Sequence, residues 1–158
     1  MDKLISNTDL ARFNSFLQGY TGQNTYYFVD NLPSLDTIFA ENVYYAFLFK
    51  KWPGQTVGHW VALIKFEEDH FEYFDCLGEK PPQEVLNLFE QVPGPITLDY
   101  TSRSLMAPNN TICGKWCIFR TFCLPAGLGD FIKLFSSWKK TPDSLVDFVV
   151  RIPMGLKE

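Results

Sequence analysis

Three side chains in this 158-residue sequence have the chemistry and spacing needed for nucleophilic catalysis: His59, Asp75 and Cys113. The polar residues before Cys113, among them Asn110, are good N-cap residues, so the sequence predicts a helix that begins close to the cysteine. A thiol in a first helical turn faces unsatisfied backbone N–H groups and the positive end of the helix dipole, which both favour the thiolate. Gly114 lets the backbone approach a bound substrate chain. We predict Cys113 as a nucleophile, against the alternative of a cysteine that simply packs on its helix.

The histidine and the aspartate lie at corresponding ends of a predicted β-hairpin. His59 begins an apolar strand over residues 58–66, residues 67–70 are polar, and Asp75 ends a second strand over 71–75. Antiparallel pairing puts the two side chains at one edge of the sheet, roughly 5 Å apart. The imidazole can then donate a hydrogen bond to the carboxylate and present its other nitrogen to the thiol, as nucleophilic acyl transfer requires. Taken singly, His59 could be a half-buried strand residue and Asp75 a turn former.

Composition limits the other possibilities. Hydrophobic residues make up 46% of the chain and aromatic residues 16%, which predicts an ordered globular protein, and the length suits one domain over residues 1–158. The net charge is −4, so no overall positive field favours nucleic acid. Without a long apolar run or a signal-peptide pattern, the sequence predicts a soluble intracellular protein.

The four cysteines are predicted to be reduced thiols, because a chain of this size does not need disulfides. Cys113, Cys117 and Cys123 match no common zinc spacing, and the chain has only two histidines. No metal ligands and no cofactor are therefore predicted.

The predicted elements alternate between strands and helices and indicate an α+β fold, with a small, mostly antiparallel mixed sheet flanked by helices. Strands are predicted at 26–29, 43–49, 58–66, 71–75 and 95–100, with a turn holding Pro33 after the first. Helices are predicted at 8–17, 83–91, 112–124, 131–138 and 143–150.

Three motifs occur in order along the chain: Gly-His-Trp at 58–60 before an apolar strand, Tyr-Phe-Asp-x-x-Gly at 73–78, and Cys-Gly-x-x-Cys at 113–117. In this order and spacing they resemble the adenovirus maturation protease (adenain) and its relatives in virophages and Polinton/Maverick elements, with the SUMO proteases more distant. The likeness is tightest over residues 98–117 and extends over most of the chain.

The resemblance implies a cysteine endopeptidase of papain-like, adenain-like architecture, with His59 as base, Asp75 as the residue that orients it and Cys113 as nucleophile. Trp60, next to the histidine, is expected to line the cleft. In the family a glutamine upstream of the cysteine completes the oxyanion hole, but this chain has Met106 there, which has no donor. Candidate replacement donors are the side chains of Trp60, Asn109 and Asn110 and the backbone N–H groups at Cys113 and Gly114.

The resemblance also implies a substrate and a setting. The expected substrates are viral capsid or structural precursors, cleaved next to small residues such as Gly. The protease is expected to be a monomer in the host cytoplasm or virus factory, with packaging in the virion as a further option. Pro95 stands where adenain has the cysteine that tethers its cofactor peptide, so neither that peptide nor nucleic acid is expected to be required. Alternatives are a protease for ubiquitin-like modifiers and a catalytically silent binding module.

Overall fold

A computed structural model describes residues 22–23, 25–51, 58–106 and 113–133 of the chain. Within these ranges a five-stranded sheet is flanked by short helices, which confirms the α+β prediction. The strands are β1 (Tyr27–Phe28), β2 (Tyr45–Lys51), β3 (Gly58–Glu67), β4 (His70–Phe74) and β5 (Thr97–Tyr100). The helices are α1 (Leu35–Ile38), α2 (Gln83–Phe89), α3 (Cys113–Phe122) and α4 (Leu128–Lys133).

Most predicted elements are present with shifted ends. The first strand is two residues long and continues into a 3-10 turn, Val29–Asn31. Helix α1 begins near the end of the predicted turn around Pro33, and the Ser34 side chain before it caps the helix by accepting a hydrogen bond from the Thr37 N–H. Four residues are too few for a helical period to be visible in the sequence. The predicted helices at 8–17 and 143–150 lie outside the described residues, and so does the second half of the one predicted at 131–138.

The strands lie side by side in chain order, β1-β2-β3-β4-β5. The central pairs β2–β3 and β3–β4 are antiparallel, whereas β1–β2 and β4–β5 are parallel, so this is a mixed sheet of the predicted kind. A parallel neighbour needs a crossover connection instead of a tight turn. Here α1 lies in the first such connection and α2 in the second.

Both faces of the sheet are buried under helices. Side chains alternate along each central strand, so neighbouring residues pack into different core clusters. One face of β2 presents Tyr45, Phe47 and Phe49 to a core cluster that includes α3 and α4. The other face presents Ala46 and Leu48 to a cluster with α1 and α2. The chain thus forms helix layers on each side of one sheet, and α3 lies deeply buried against it. No described helix has the length and apolar run needed to cross a lipid bilayer.

A buried ion pair joins α3 to the sheet. The Arg120 guanidinium donates from Nε and Nη2 to the two Glu72 carboxylate oxygens, at 2.9 and 2.8 Å. Both side chains are fully buried. Nη2 also donates to the Ala126 carbonyl, and the guanidinium lies 4.9 Å from the centre of the Phe131 ring. Burial raises the pKa of Glu72, and Arg120 opposes that shift. The pair therefore fixes how α3 lies on β4.

Removing the cation from this pair is expected to destabilise the fold strongly. Arg120→Met leaves Glu72 buried without its partner, and breaking a buried pair in this way costs about 3–5 kcal/mol. Urea unfolding of the purified variant measures the loss. Lys133→Met removes the cation of an exposed pair with Asp130 and serves as the control, with an expected change below about 1 kcal/mol. Equal losses in the two variants would contradict a special role for the Glu72–Arg120 pair.

Candidate active site

The β3–β4 hairpin brings His59 and Asp75 into contact, as the sequence predicts. Its register pairs Ala62 with Phe74, so residue 75 follows β4 beside the start of β3, where His59 lies. His59 Nε2 donates to Asp75 Oδ1 across 2.5 Å. At Gly58 a side chain is excluded, because a Cβ there would lie 2.4 Å from the Lys50 carbonyl oxygen. The glycine of the Gly-His-Trp motif thus lets β3 approach β2 closely just before the histidine.

A tight turn holds the Asp75 carboxylate in place. Oδ1 also accepts a hydrogen bond from the Leu77 N–H at 2.8 Å, and the Gly78 N–H donates to the Asp75 carbonyl at 2.9 Å. Gly78 has a φ of +74°, and a Cβ there would lie 2.4 Å from the backbone of Arg103. Only glycine fits both constraints without strain. The spacing of Asp-x-x-Gly in the sequence motif therefore follows from the turn that presents the carboxylate.

Thr101 fixes the backbone of Asp75 from the other side. Its hydroxyl accepts from the Asp75 N–H at 3.0 Å and donates to the Asp75 carbonyl at 2.5 Å. Thr101 is fully buried and directly follows β5. Sequence reasoning missed this residue, since a threonine after a strand gives no signal of its partner 26 positions away.

Cys113 is the first residue of α3 and lies beside the start of β3. Its Sγ accepts a hydrogen bond from the Trp60 backbone N–H at 3.3 Å. Because residue 60 directly follows His59, this contact brings the sulfur next to the histidine's own segment of β3. A helix-starting thiol that also accepts an N–H has two reasons to favour the thiolate. His59, Asp75 and Cys113 are 2%, 1% and 3% exposed, so their interactions are weakly screened by solvent.

The other predicted site residues have different positions. Trp60 lies in the core against the rings of Tyr26 and Phe49 instead of lining an open cleft, and its indole Nε1–H has no hydrogen-bond partner in the described part of the chain. Gly114 is buried in the first turn of α3. Asn109 and Asn110 lie outside the described residues.

Met106 is buried and contacts a cysteine that the sequence analysis did not single out. The Cys76 thiol lies 3.8 Å from the Met106 thioether, and the Cys76 carbonyl accepts from the N–H groups of Leu105 and Met106. The segment that leads toward the nucleophile is thus attached to the turn after β4. The described structure has Cys76, Cys113, Cys117 and Cys123 as reduced thiols.

Cys76 also belongs to a group of metal-ligand types. One ligand atom each from His59, Asp75 and Cys76 lies within 4.8 Å of the other two, and all three residues are buried. The adjacent pair Asp75-Cys76 gave no signal in the sequence because zinc patterns are recognised by spaced cysteines and histidines.

Replacing the Thr101 hydroxyl is expected to destabilise the turn that carries Asp75. Thr101→Val keeps the shape but leaves the buried Asp75 N–H without an acceptor, at a cost of about 1–3 kcal/mol. Thr101→Ser keeps the hydroxyl and is the matched control, with a smaller expected loss. Chemical denaturation of both variants measures the difference. A valine variant as stable as the serine variant would show that the hydroxyl does not anchor the turn.

Comparisons with known proteins give distant similarities, and no protein-family model matches the chain. Protein V9 of the Sputnik virophage is 25% identical over 114 residues, covering 58% of this chain and 65% of V9. The chain thus spans just under two thirds of the length of this relative.

Among solved structures, the pS273R protease of ASFV is similar over 73% of this chain and 45% of its own, with a TM-score of 0.49 and 18% identity. A second structure of that protease gives 0.46 and 20% over 68% and 42% of the two chains. The central domain of the Lpg1148 protein from Legionella pneumophila covers 98% of each chain, with a TM-score of 0.49 and 16% identity.

Proposed function

We propose that this chain is a cysteine endopeptidase in which Cys113 is the nucleophile, His59 the base and Asp75 the residue that orients the base. The observation that carries the proposal is the convergence of three residues distant in sequence. His59 contacts Asp75 on one side, and the Trp60 N–H that follows it donates to the sulfur of Cys113. An imidazole beside a carboxylate and a helix-starting thiol is the arrangement of nucleophilic acyl transfer.

In the proposed reaction, the Cys113 thiolate attacks a peptide carbonyl carbon and His59 holds the proton that the thiol has lost. Asp75 occupies Nε2 of the ring, so the opposite nitrogen, Nδ1, exchanges protons with the reacting groups. The imidazolium then gives its proton to the leaving amine as the C–N bond breaks. Water, deprotonated by His59, hydrolyses the resulting thioester and regenerates the thiol.

The oxyanion is proposed to bind to backbone N–H groups at the start of α3, at Cys113 and Gly114. Met106 offers no donor, and its thioether is directed toward Cys76. The Trp60 indole is a weaker candidate, because it is packed among aromatic rings in the core. A backbone oxyanion hole at a helix N-terminus uses the same dipole that favours the thiolate.

For the substrate, we propose viral structural precursors cleaved next to small residues such as Gly. Support comes from the motif resemblance and from the similarity to a virophage protein. Incubation of the purified chain with capsid precursors, followed by sequencing of the new N-termini, tests this assignment. Cleavage only after the terminal Gly-Gly of a folded ubiquitin-like modifier would instead favour the modifier-protease alternative.

The second candidate is a binding module that keeps the fold without turnover, which the missing donor at Met106 favours. The two candidates differ in the reactivity of Cys113. A working site activates this buried thiol, whereas a silent module leaves it no more reactive than the other cysteines.

Alkylation is expected to select Cys113 over the more exposed Cys123. Burial raises the pKa of Cys123, with Arg120 opposing the shift, and this residue lies just after the end of α3. Cys113 is more deeply buried, but the helix N-terminus and the Trp60 N–H are proposed to outweigh the effect of burial there. Iodoacetamide labelling of the native chain, located by peptide mass spectrometry, makes the comparison. Faster labelling of Cys123 would favour the silent module.

Substitutions at the three residues are expected to separate their roles. Cys113→Ala removes cleavage without unfolding the chain, and His59→Ala does nearly the same. Asp75→Asn lowers the rate less completely, because the amide still lies beside the His59 ring but no longer carries the negative charge of the carboxylate. Cleavage of an identified substrate, followed alongside circular dichroism, gives the result, with Cys123→Ala as control. Retained cleavage in Cys113→Ala would exclude this nucleophile.

Met106→Gln is expected to raise kcat, because its side-chain amide adds a donor to the two backbone N–H groups of the proposed oxyanion hole. Loss of one oxyanion donor typically lowers kcat by a factor on the order of 10²–10³, so the expected rise in kcat is no larger than this factor. Met106→Leu is the matched control, with little expected change, because neither side chain donates and their volumes are similar. A lower kcat for Met106→Gln than for Met106→Leu would mean that another group already fills the hole.

A further inference from the structure

Beyond the proposed protease chemistry, the end of the β3–β4 hairpin carries three different metal-ligand types. His59 supplies an imidazole nitrogen, Asp75 a carboxylate oxygen and Cys76 a sulfur. These three atoms all lie within 4.8 Å of one another. These are three of the ligand types that zinc takes in proteins. Three protein ligands with an open fourth position are also a common zinc arrangement.

A second observation points to a ligand at this place. Asp75 is 1% exposed, yet its Oδ2 atom has no hydrogen-bond partner among the described residues. A buried carboxylate oxygen without a partner is costly and calls for an explanation. Because Oδ1 accepts from His59 and Leu77, Oδ2 is the oxygen that can bind a cation without loss of the turn.

The charges of the group also suit a divalent cation. A carboxylate and a thiolate together carry two negative charges, so a bound M²⁺ with a neutral imidazole gives a buried site of zero net charge. Binding requires the Cys76 thiol to release its proton to solvent. The imidazole keeps one proton, on the nitrogen that does not bind the metal.

A tetrahedral zinc site requires the three ligand atoms to shift from their present separations. Zinc lies about 2.3 Å from sulfur and about 2.0–2.2 Å from nitrogen and oxygen, so its ligand atoms are roughly 3.3–3.7 Å apart. The 4.8 Å limit of the present group is larger by little more than 1 Å. The 2.5 Å contact between His59 Nε2 and Asp75 Oδ1 is shorter than the separation of two zinc ligands, so this hydrogen bond has to break or lengthen when the metal binds.

We propose that His59, Asp75 and Cys76 form a binding site for Zn²⁺, in which the metal competes with the His59–Asp75 hydrogen bond. A nitrogen, oxygen and sulfur set favours zinc over Mg²⁺ and Ca²⁺, which take oxygen ligands. A bound zinc ion occupies the base and its orienting residue. If the proposed protease function holds, Zn²⁺ therefore inhibits cleavage reversibly without bonding to Cys113.

Titration of the reduced, full-length chain with ZnCl₂ tests the site by calorimetry. The wild type and Cys113→Ala are expected to bind one Zn²⁺ each with similar affinity, and Cys76→Ser to bind about 100-fold more weakly or worse, beyond the loss typical of an outer-shell partner. Cys123→Ala is the control and should bind as the wild type does. Loss of binding in Cys113→Ala, with retention in Cys76→Ser, would move the metal to the nucleophile and overturn the proposal.

CoCl₂ provides a second measurement that does not depend on how well Cys76→Ser folds. A thiolate bound to Co²⁺ gives a near-ultraviolet charge-transfer absorption, which is expected in Cys113→Ala as in the wild type. Absence of this band in Cys113→Ala, or unchanged zinc binding in a folded Cys76→Ser, would overturn the proposal.

A cleavage assay tests the effect of zinc on activity separately from zinc binding. Zn²⁺ should inhibit cleavage by the wild type and a chelator should restore it. Because Cys113→Ala is expected to be inactive but to bind zinc, failure of the protease proposal and failure of the metal site give different results.

Discussion

The pairing register of β3 with β4 decides whether His59 and Asp75 can meet. Side chains on adjacent residues of a strand point to opposite faces, so a slip of one residue would turn Asp75 away from His59. The register from Ala62–Phe74 to Lys65–Phe71 prevents that slip, because Ala62, Ile64 and Phe74 are buried in one core cluster. The His59–Asp75 contact is thus stabilised by apolar packing several residues away, and not by its own hydrogen bond alone.

Helix α3 has to meet this hairpin at the right place, and two different interactions hold it there. Near its end, Arg120 pairs with Glu72 in the middle of β4. At its start, Cys113 accepts the N–H of Trp60 at the beginning of β3. Between these points the helix is buried against the sheet. The Arg120–Glu72 ion pair restricts the orientation of α3 more than apolar contacts do, because the guanidinium and the carboxylate must align to form both hydrogen bonds.

The turn after β4 serves several neighbours at once. Within four residues it presents the Asp75 carboxylate, accepts the 105–106 segment through the Cys76 carbonyl, and closes through Gly78 against Arg103. Thr101 attaches the same turn to the end of β5. The group proposed to orient the base and the group proposed to bind zinc therefore share the Asp75 carboxylate. This shared carboxylate would couple the proposed metal binding to the proposed catalysis.

The types and order of the elements near the site follow from local sequence signals, because the apolar strand runs of the hairpin and the capping residues before Cys113 depend only on neighbouring residues. The sequence therefore predicted the β3–β4 hairpin and the His59–Asp75 contact. Short α1 and the parallel edges of the sheet were decided by tertiary packing, since crossover connections have no local signature. The partners of Thr101, Cys76, Glu72 and Arg120 also came only from the folded chain. Each of these contacts joins residues 26 or more positions apart, and no pattern within a window of sequence encodes such a distance.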